Sequence, residues 1–430
     1  MHQATVHRAT AANSPAFWSL VAFTSILLLS PQIWFPILGS LRIAFLAAGA
    51  AIGAHLLQRL TQHQRPAPFA LEIWIAVALV CWAIVTIPLS YWPGGSVTTL
   101  TEHYLKAVAF FWLIGTLVTT LGRLRVLAWA LVLCSIPLAA TGLHHYVTGM
   151  VLSTGVPGLQ RIYGYHGGSG IVGNPNDLAL MLNLIIPIAG ALVLTARTAR
   201  SRAVAGGALA LNAVAIILTF SRAGFLTLAT TMVLFVVMLA RRGSPGKAAA
   251  LLAAALLLLP VMPKGYADRL STITNFSADR TGSAEGRWKD LQIALGLVSR
   301  NPITGVGIGQ DILAMNESRG EEWTSIHNAF LQYAVDLGLP GLALFLWLYT
   351  ACLRSARAVR RRAALAPALH DLAQFASGVQ IALVAFAVAA FFHPIAYQFY
   401  FFCIAGLAVA LKRTYLAETA AVPATAWQAS

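Results

Sequence analysis

The sequence predicts an all-α polytopic integral membrane protein with about 12 transmembrane helices and a long, partly helical periplasmic loop between the ninth and tenth spans. Three observations support this fold class. The chain is 58% hydrophobic and 10% charged, and its mean hydropathy of +0.73 is far above that of soluble domains. Apolar runs of membrane-spanning length recur throughout the 430 residues. Basic and acidic residues also separate onto alternate connecting segments.

The spans are predicted from the apolar runs and the polar breaks between them. A hydrocarbon core about 30 Å thick requires roughly 20 apolar residues per helix. The predicted spans are 16–30, 33–57, 69–90, 103–121, 124–143, 177–196, 203–220, 223–240, 247–262, 327–352, 372–392 and 395–412. The chain therefore divides into N-terminal spans (1–143), a periplasmic loop (144–176), central spans (177–262), a large periplasmic loop (263–326), C-terminal spans (327–413) and a cytoplasmic tail (414–430).

Charge asymmetry predicts the orientation in the membrane. Of the 29 Lys and Arg residues, 18 fall in segments on one side of the predicted spans, including the basic block 354–362. The acidic residues concentrate on the opposite side, mainly in 263–326. Because short cytoplasmic loops are enriched in Lys and Arg, both termini are predicted to be cytoplasmic and both long loops periplasmic. This topology accounts for the net charge of +15, so nucleic acid is not an expected partner.

The second long loop contains a predicted amphipathic helix. Ser283 can cap its start, Glu285 lies in its first turn, and Asn301-Pro302 ends it. Three roles remain open at this point. The helix is a lid over the bundle, a segment lying in the lipid surface, or a clamp on substrate.

Three arginines on the predicted periplasmic side are the main candidates for ligand binding: Arg161, Arg222 and Arg287. Arg222 lies at a hairpin tip between two apolar runs, which holds its guanidinium at the membrane boundary. Three guanidinium groups on one face suit a diphosphate, because each can bind phosphate oxygens through two N–H groups. A surface salt bridge, or contact with lipid phosphate, is the alternative for each arginine alone. Lys106 and Arg42 are weaker candidates on the same side.

His327 is the candidate general base. It directly precedes a strongly apolar run, so the positive end of a helix dipole should lower its pKa and favour the neutral, proton-accepting imidazole. Two alternatives stay open: His327 only bonds a loop carbonyl, or Asp336 or a water molecule acts as the base. The sequence shows no clustered His/Cys set or Asp-x-Asp pair on this side, so we expect neither a metal ion nor a cofactor.

Glycines mark two further features of the backbone. Those within 305–309 follow Asn301-Pro302 and predict a tight backbone passage, because no strand precedes them as a nucleotide-binding loop would require. Pro340, flanked by glycines at 338 and 341, predicts a kink or close packing in the helix after His327.

The motifs of the second half resemble those of the bacterial O-antigen ligase and O-antigen polymerase superfamily. Each motif is weak alone, but their order and the long loop between two spans are specific in combination. The resemblance covers roughly residues 170 to 345. The motifs are Thr219-Phe220-Ser221-Arg222, Glu285-Gly286-Arg287-Trp288, Asn301-Pro302 with the glycines that follow, His327-Asn328, and Gly338 with Gly341.

The resemblance implies an enzyme, a glycosyltransferase of the bacterial inner membrane with its active site facing the periplasm. Its donor would be O-antigen polysaccharide linked to undecaprenyl diphosphate, and its acceptor a sugar hydroxyl of lipid A–core oligosaccharide. The lipopolysaccharide O-antigen ligase branch is the preferred interpretation. A polymerase that extends lipid-linked repeats is the alternative within the superfamily.

The same resemblance suggests roles for individual residues. His327 would take the proton of the acceptor hydroxyl, and the three arginines would stabilise the departing diphosphate without a metal ion. Attack opposite the leaving group would invert the anomeric centre. Weaker supporting candidates are Lys106, Arg42, Asn328, Trp288 and Ser221.

Two other classes of protein are weighed against the enzyme. A transporter for an anionic or glycan-carrying lipid could also use a basic outer cavity. However, the halves of the chain show no inverted repeat, and the main functional segment is an outer loop and not a pair of broken helices at the membrane midplane. A scaffold subunit in contact with membrane lipids would not account for the outer Arg and His residues.

Overall fold

The computed structural model describes residues 14–61, 70–153, 160–165, 173–257, 262, 265–271, 283–320, 323 and 325–420. This part of the chain is almost entirely helical. The α-helices of its first half are α1 (Pro15–Leu29), α2 (Pro36–Ser40), α3 (Ile43–Thr61), α4 (Leu71–Thr86), α5 (Pro93–Thr99), α6 (Leu105–Leu117) and α7 (Leu121–Thr148).

The second half continues the bundle and adds the helices of the large loop. Its α-helices are α8 (Pro175–Thr195), α9 (Ala199–Leu218), α10 (Arg222–Arg241), α11 (Pro245–Leu256), α12 (Tyr266–Ser271), α13 (Ser283–Arg300), α14 (Asp311–Arg319), α15 (Ala329–Ala363), α16 (His370–Ala390) and α17 (Phe399–Ala420). The other elements are 3-10 helices at Pro31–Ile33, Ile87–Leu89 and Pro367–Leu369, a π-helix at Leu100–Tyr104, and a two-residue antiparallel pairing of β1 (Leu152–Ser153) with β2 (Gln160–Arg161).

The described helices confirm an all-α polytopic membrane protein. Nine of them are long and apolar enough to cross a membrane: those that begin at Ile43, Leu71, Leu121, Pro175, Ala199, Arg222, Ala329, Pro367 and Phe399. The shorter apolar helices α1 and α11, together with α6, coincide with the other three predicted runs. Helix α6 continues α5 through the π-helical turn, which places the charged residues of 100–106 inside that helical stretch.

The helices differ sharply in how deeply they lie in the bundle. In the apolar 18-residue stretches of α8 and α17, 83% and 72% of the residues are buried. In the corresponding stretch of α3, only 11% are buried. Helix α3 exposes large apolar side chains such as Phe45 and Leu60, as expected for a helix that faces lipid. The core is therefore formed by the helices around α8, α16 and α17.

Charged residues at one end of the bundle join helices through side-chain pairs, and we call this the basic end. Arg125 of α7 pairs with Asp371 of α16, and Lys412 of α17 lies 3.2 Å from the buried carboxylate of Glu72 on α4. The opposite end is where α8, α10 and α15 begin, and we call it the site end. The basic block 354–362 lies on the part of α15 near the basic end.

Helix α15 is broken near the site end, as the sequence predicts. Gly338 adopts φ 68° and ψ −176°, and Pro340 lacks the N–H that a continuous helix would use. A Cβ at Gly338 would lie 2.1 Å from the carbonyl oxygen of Ile303. Residues 301–309, which we call the glycine-containing segment, therefore pack directly against the break. That segment and α4 bond the freed carbonyls: Val306 N–H to Val335 at 2.8 Å, Gly307 N–H to Asp336 at 2.9 Å, and the Trp82 indole N–H to Leu337 at 2.8 Å.

The large loop is more helical than the sequence indicated. Only the helix at 283–300 was predicted, and the structure adds α12 and α14. Helix α13 begins at Ser283 itself, so Ser283 lies within the helix and does not precede it as a cap. The nine residues of α14 mix polar and apolar types, and so short a helix depends on tertiary packing more than on its own propensity.

Candidate active site

Asn176, in the first turn of α8, joins three other elements at the site end. Its side-chain oxygen accepts hydrogen bonds from Arg161 of β2 and from the hydroxyl of Ser221, each at 2.8 Å. Its backbone carbonyl lies 3.3 Å from Nε2 of His393, in the turn between α16 and α17. Four separate parts of the chain therefore meet at one residue.

Arg161 fixes the turn that precedes α10. Its Nε donates to the carbonyl oxygen of Thr219 at 2.9 Å, while its terminal nitrogen donates to Asn176. The neighbouring Ile162 N–H reaches the carbonyl of Leu218 at 3.4 Å. The predicted ligand-binding residue Arg161 is thus bound to the same turn that carries Ser221 and Arg222.

The turn between α9 and α10 is tight and locally strained. Phe220 has φ 51°, a left-handed conformation that bulky residues rarely adopt and that often marks functional sites. Ser221 caps α10 by accepting the Gly224 N–H at 3.2 Å, and Arg222 is the first residue of the helix. A Cβ at Gly224 would lie 2.6 Å from that of Ala179 on α8. The glycine therefore allows the N-terminal ends of α8 and α10 to lie side by side.

A second group contains Arg287 of α13 and two imidazoles. Burial is the largest cause that lowers the pKa of His327 to about 4, and the charge of Arg287 is the next. His393 and Arg319 lower this pKa further, whereas a hydrogen bond with the Ser325 backbone acts to raise it. Burial also lowers the pKa of His393, and Arg287 contributes there too. Arg287 therefore lies close enough to act on both rings.

The predicted direction of the His327 pKa is confirmed. The sequence attributed the shift to the N-terminus of α15, and the structure adds burial and neighbouring positive charge as causes. Among the described residues, the Nδ1 atom of His327 is buried without a hydrogen-bond partner. Asn328 caps α15 by accepting the Leu331 N–H at 3.1 Å, which gives this supporting candidate a structural role.

His393 connects the two groups. One side of its ring contacts Asn176. The charge of Arg287 lowers the pKa of His393, and His393 in turn lowers the pKa of His327. The Nδ1 atom of His393 lies 2.8 Å from the carbonyl oxygen of Ala389, so each ring nitrogen faces a backbone carbonyl and a neutral ring donates its single N–H to one of the two. The structure thus brings together four predicted residues, Arg161, Ser221, Arg287 and His327, with Arg222 next to Ser221.

Sequence reasoning missed both connecting residues. Asn176 was interpreted only as part of a turn and helix cap, and His393 was not singled out. The sequence marks both residues only weakly. Asn176 directly follows Pro175 at the start of a helix, and His393 is part of a His-Pro pair between two apolar runs.

The weaker candidates Lys106 and Arg42 form a separate group. Lys106 pairs with Glu102, and both side chains are about half exposed, at 49% and 56%. Arg42 lies close enough to help lower the pKa of Glu102. Trp288, beside Arg287 on α13, is 61% exposed. In the described ranges, no three His, Cys, Asp or Glu side chains are grouped in a way that could hold a metal ion.

The fold and this site define a multi-pass membrane protein in which buried imidazoles and guanidinium groups meet at one end of the bundle. Residues 207–346 match the family model described as O-antigen ligase. The resemblance predicted from the motifs is thereby confirmed. A comparison with curated proteins finds no match.

The matched region contains only part of the site. Arg222 and His327 lie inside it, whereas Arg161, Asn176 and His393 lie outside. Asn176 therefore joins Ser221, inside the matched region, to Arg161 and His393 outside it.

Proposed function

We propose that the chain is a glycosyltransferase that moves O-antigen polysaccharide from undecaprenyl diphosphate to a sugar hydroxyl of lipid A–core oligosaccharide. In this proposal the site end faces the periplasm and the protein lies in the inner membrane. The observation that carries the proposal is the group of Arg287, His327 and His393 beside the Arg161–Asn176–Ser221 contacts, of which Ser221, Arg287 and His327 lie within the region that matches the O-antigen ligase family model.

The site suits a diphosphate leaving group. Breaking the bond between the anomeric carbon and the diphosphate oxygen leaves negative charge on the diphosphate, which preorganised cations and N–H groups stabilise. The N-terminal ends of α8 and α10 lie side by side and add their positive dipole ends. Arg222 and Arg287 are the proposed diphosphate ligands, with Arg161 as a third ligand that also fixes the turn.

His327 is the proposed general base. Its low pKa keeps the imidazole neutral at physiological pH, so the ring can accept the proton of the acceptor hydroxyl as the new glycosidic bond forms. A base with a pKa of about 4 would be weak. Binding an anionic diphosphate beside Arg287 should raise that pKa, because added negative charge favours the protonated form. The donor would then strengthen the base that acts on the acceptor.

Asp336 is a poor alternative base. Its side chain is fully buried in the broken segment of α15, and its Oδ2 accepts the Gly309 N–H at 3.0 Å. Such a bond holds the glycine-containing segment against α15. These contacts favour a structural role for Asp336 and support His327 as the base.

The test is an assay of the purified, reconstituted protein with a lipid-diphosphate glycan and lipid A–core. We expect a joined glycan–core product and release of lipid diphosphate. A lengthened lipid-linked glycan, without glycan on the core, would identify a polymerase. Movement of donor across vesicles with no new glycosidic bond would identify a transporter and contradict the proposal.

The same assay tests the proposed independence from metal ions. The proposed diphosphate ligands are arginines, so a chelator should leave transfer intact. Loss of product that added magnesium restores would contradict this part of the mechanism.

Orientation is tested by cysteine labelling in whole cells. Gly320, at the end of α14, and Leu365, after the basic block, are both exposed positions on opposite sides of the bundle. With the exposed native Cys81 replaced, an impermeant maleimide should label Gly320→Cys and spare Leu365→Cys. The reverse pattern would overturn the periplasmic assignment.

A further inference from the structure

We infer that Asp311 is a positioning residue that holds the segments bearing His327 and His393 in register. This inference deepens the proposed function and rests on it. Asp311 is the first residue of α14, and its side chain is 1% exposed. It belongs to none of the motifs that carry the family resemblance.

One carboxylate oxygen of Asp311 fixes the backbone directly before His327. Oδ2 accepts the N–H of Ile326 at 3.0 Å, and Ile326 is itself buried. Nδ1 of His327 has no hydrogen-bond partner within the described residues, and the hydrogen bond that acts on the pKa of the ring comes from the Ser325 backbone. Ring placement therefore depends on how the backbone on both sides of Ile326 is held. The Asp311–Ile326 bond is therefore a direct means of placing the imidazole.

The other carboxylate oxygen reaches the segment that follows His393. Oδ1 accepts from the side-chain nitrogen of Gln332 at 3.3 Å, and the side-chain oxygen of Gln332 accepts the Ala396 N–H at 3.1 Å. Tyr333, the next residue of α15, donates its hydroxyl to the carbonyl of Ala396. One carboxylate and one amide thus connect the segment that bears His327 with the segment that bears His393.

The far end of α14 contacts the helix that carries Arg287. Arg319, the last residue of α14, pairs with Asp290 of α13, and both side chains are largely buried. Asp290 lies three residues after Arg287, on the same side of the helix. Helix α14 therefore connects the His327 segment at one end with the Arg287 helix at the other.

A carboxylate suits this position because each of its oxygens accepts from an N–H donor. Burial raises the pKa of Asp311, and the bonds from Ile326 and Gln332 oppose part of that shift. The positive N-terminal end of α14 also favours negative charge there. An ionised side chain accepts at both oxygens, as the two donors require.

Replacing the carboxylate of Asp311 by an amide leaves one buried N–H donor without an acceptor, whichever way the amides of residues 311 and 332 are rotated. In Asp311→Asn, one position of the side chain becomes an NH2 group that faces either Ile326 N–H or the Gln332 NH2 group. Rotating the Gln332 amide relieves the second contact but turns an NH2 group toward Ala396 N–H. An unpaired buried donor costs about 1–3 kcal/mol.

The reciprocal exchange restores every bond. In Asp311→Asn with Gln332→Glu, the Asn oxygen accepts from Ile326 and its NH2 group donates to the new carboxylate. The second oxygen of that carboxylate then accepts from Ala396. Charge and side-chain sizes are conserved in total, so rescue would report the bonding pattern itself.

The experiment compares full-length protein in nanodiscs as wild type, Asp311→Asn, the double variant, and Glu317→Gln as a control on the exposed face of α14. Transfer assays give kcat and the KM for lipid-linked donor. Modification of His327 by diethyl pyrocarbonate, followed by mass spectrometry of its peptide, reports imidazole placement without requiring activity.

We expect Asp311→Asn to lower kcat by about tenfold or more, because displaced reacting groups lose rate steeply, with donor KM changed by less than about twofold. His327 modification should change at least about threefold, and the double variant should recover both quantities. The Glu317→Gln control should match wild type. Unchanged kcat and unchanged modification in Asp311→Asn would overturn the inference, as would a double variant no better than the single one. A wild type without transfer, but with the expected modification pattern, would contradict the proposed function and support the positioning role.

Discussion

The two ends of the bundle hold their polar residues in different ways. At the basic end, charged side chains pair across helices, as Arg125 does with Asp371. Around Asn176 at the site end, side chains bond backbone groups and amides, as Arg161 does with the Thr219 carbonyl and Asn176. Pairs of the first kind join helices, whereas bonds of the second kind fix the backbone from which candidate catalytic residues project. Substitutions should therefore affect stability at one end and turnover at the other.

The largest effect that this comparison predicts is at His327. His327→Ala should lower kcat by about 10²–10⁴-fold, because positioned proton transfer typically contributes that much. His327→Gln keeps a hydrogen-bonding side chain but cannot act as a base near neutral pH, so its loss should be similar. Donor binding should persist in both variants, measured with labelled lipid-linked glycan. Near-normal turnover in both would remove the general-base role.

A smaller loss is expected at the proposed diphosphate ligands. Arg222→Ala and Arg287→Ala should each lower kcat/KM for the donor by roughly 10- to 100-fold, the size expected for a charge-assisted hydrogen bond of about 1.5–3 kcal/mol. Arg→Lys at either position should remain impaired, because lysine keeps the charge but loses the two-pronged geometry. Full activity of Arg222→Ala at normal expression would exclude that residue from the mechanism.

The pH dependence of glycan transfer gives a further test of the role of His327. His327 acts in its neutral form, so activity should be complete above its pKa and fall as the pH drops through it. With a pKa of about 4 in the free protein, kcat/KM for the donor should stay level between about pH 8 and 5. The acid limb of kcat should lie at higher pH, because bound diphosphate raises the pKa. Rates measured from about pH 8 to below the pKa of about 4 would contradict the account if the acid limbs of kcat and kcat/KM coincided.

The smallest effect is expected at the basic end. Asp371→Asn removes the partner of Arg125, in a pair whose side chains are 24% and 27% exposed. The change should cost at most about 1 kcal/mol of stability, seen as a slightly lower apparent Tm in detergent. Transfer rates should be unchanged. A loss of turnover comparable with that of Arg222→Ala would show that the two ends are not separable.

Local patterns in the sequence predicted most of the fold. All twelve apolar runs coincide with described helices, and the break in α15 follows from Pro340 between two glycines. These features depend on composition and on residue spacing over a few turns of helix. Periodicity is informative at that scale, and so is the chemistry of proline and glycine.

The connecting residues of the site could not be predicted in the same way. Asn176 and His393 are 217 positions apart and meet only because α8 packs against α16. Helix α14 is too short for a strong periodic signal. The role of Asp311 depends on donors that only the folded chain places beside it, the Ile326 N–H and the Gln332 side chain. The pKa of His327 was predicted in direction alone, because its main cause is burial.

The most direct test of the central claim is a cryo-EM structure of the protein bound to a non-reactive lipid-diphosphate glycan. The account predicts diphosphate density within hydrogen-bond distance of the Arg222 and Arg287 guanidinium groups, with the anomeric carbon on the side of His327. Diphosphate bound instead at the exposed group of Arg42 and Lys106, with the Arg287 and His327 region unoccupied by donor, would contradict it.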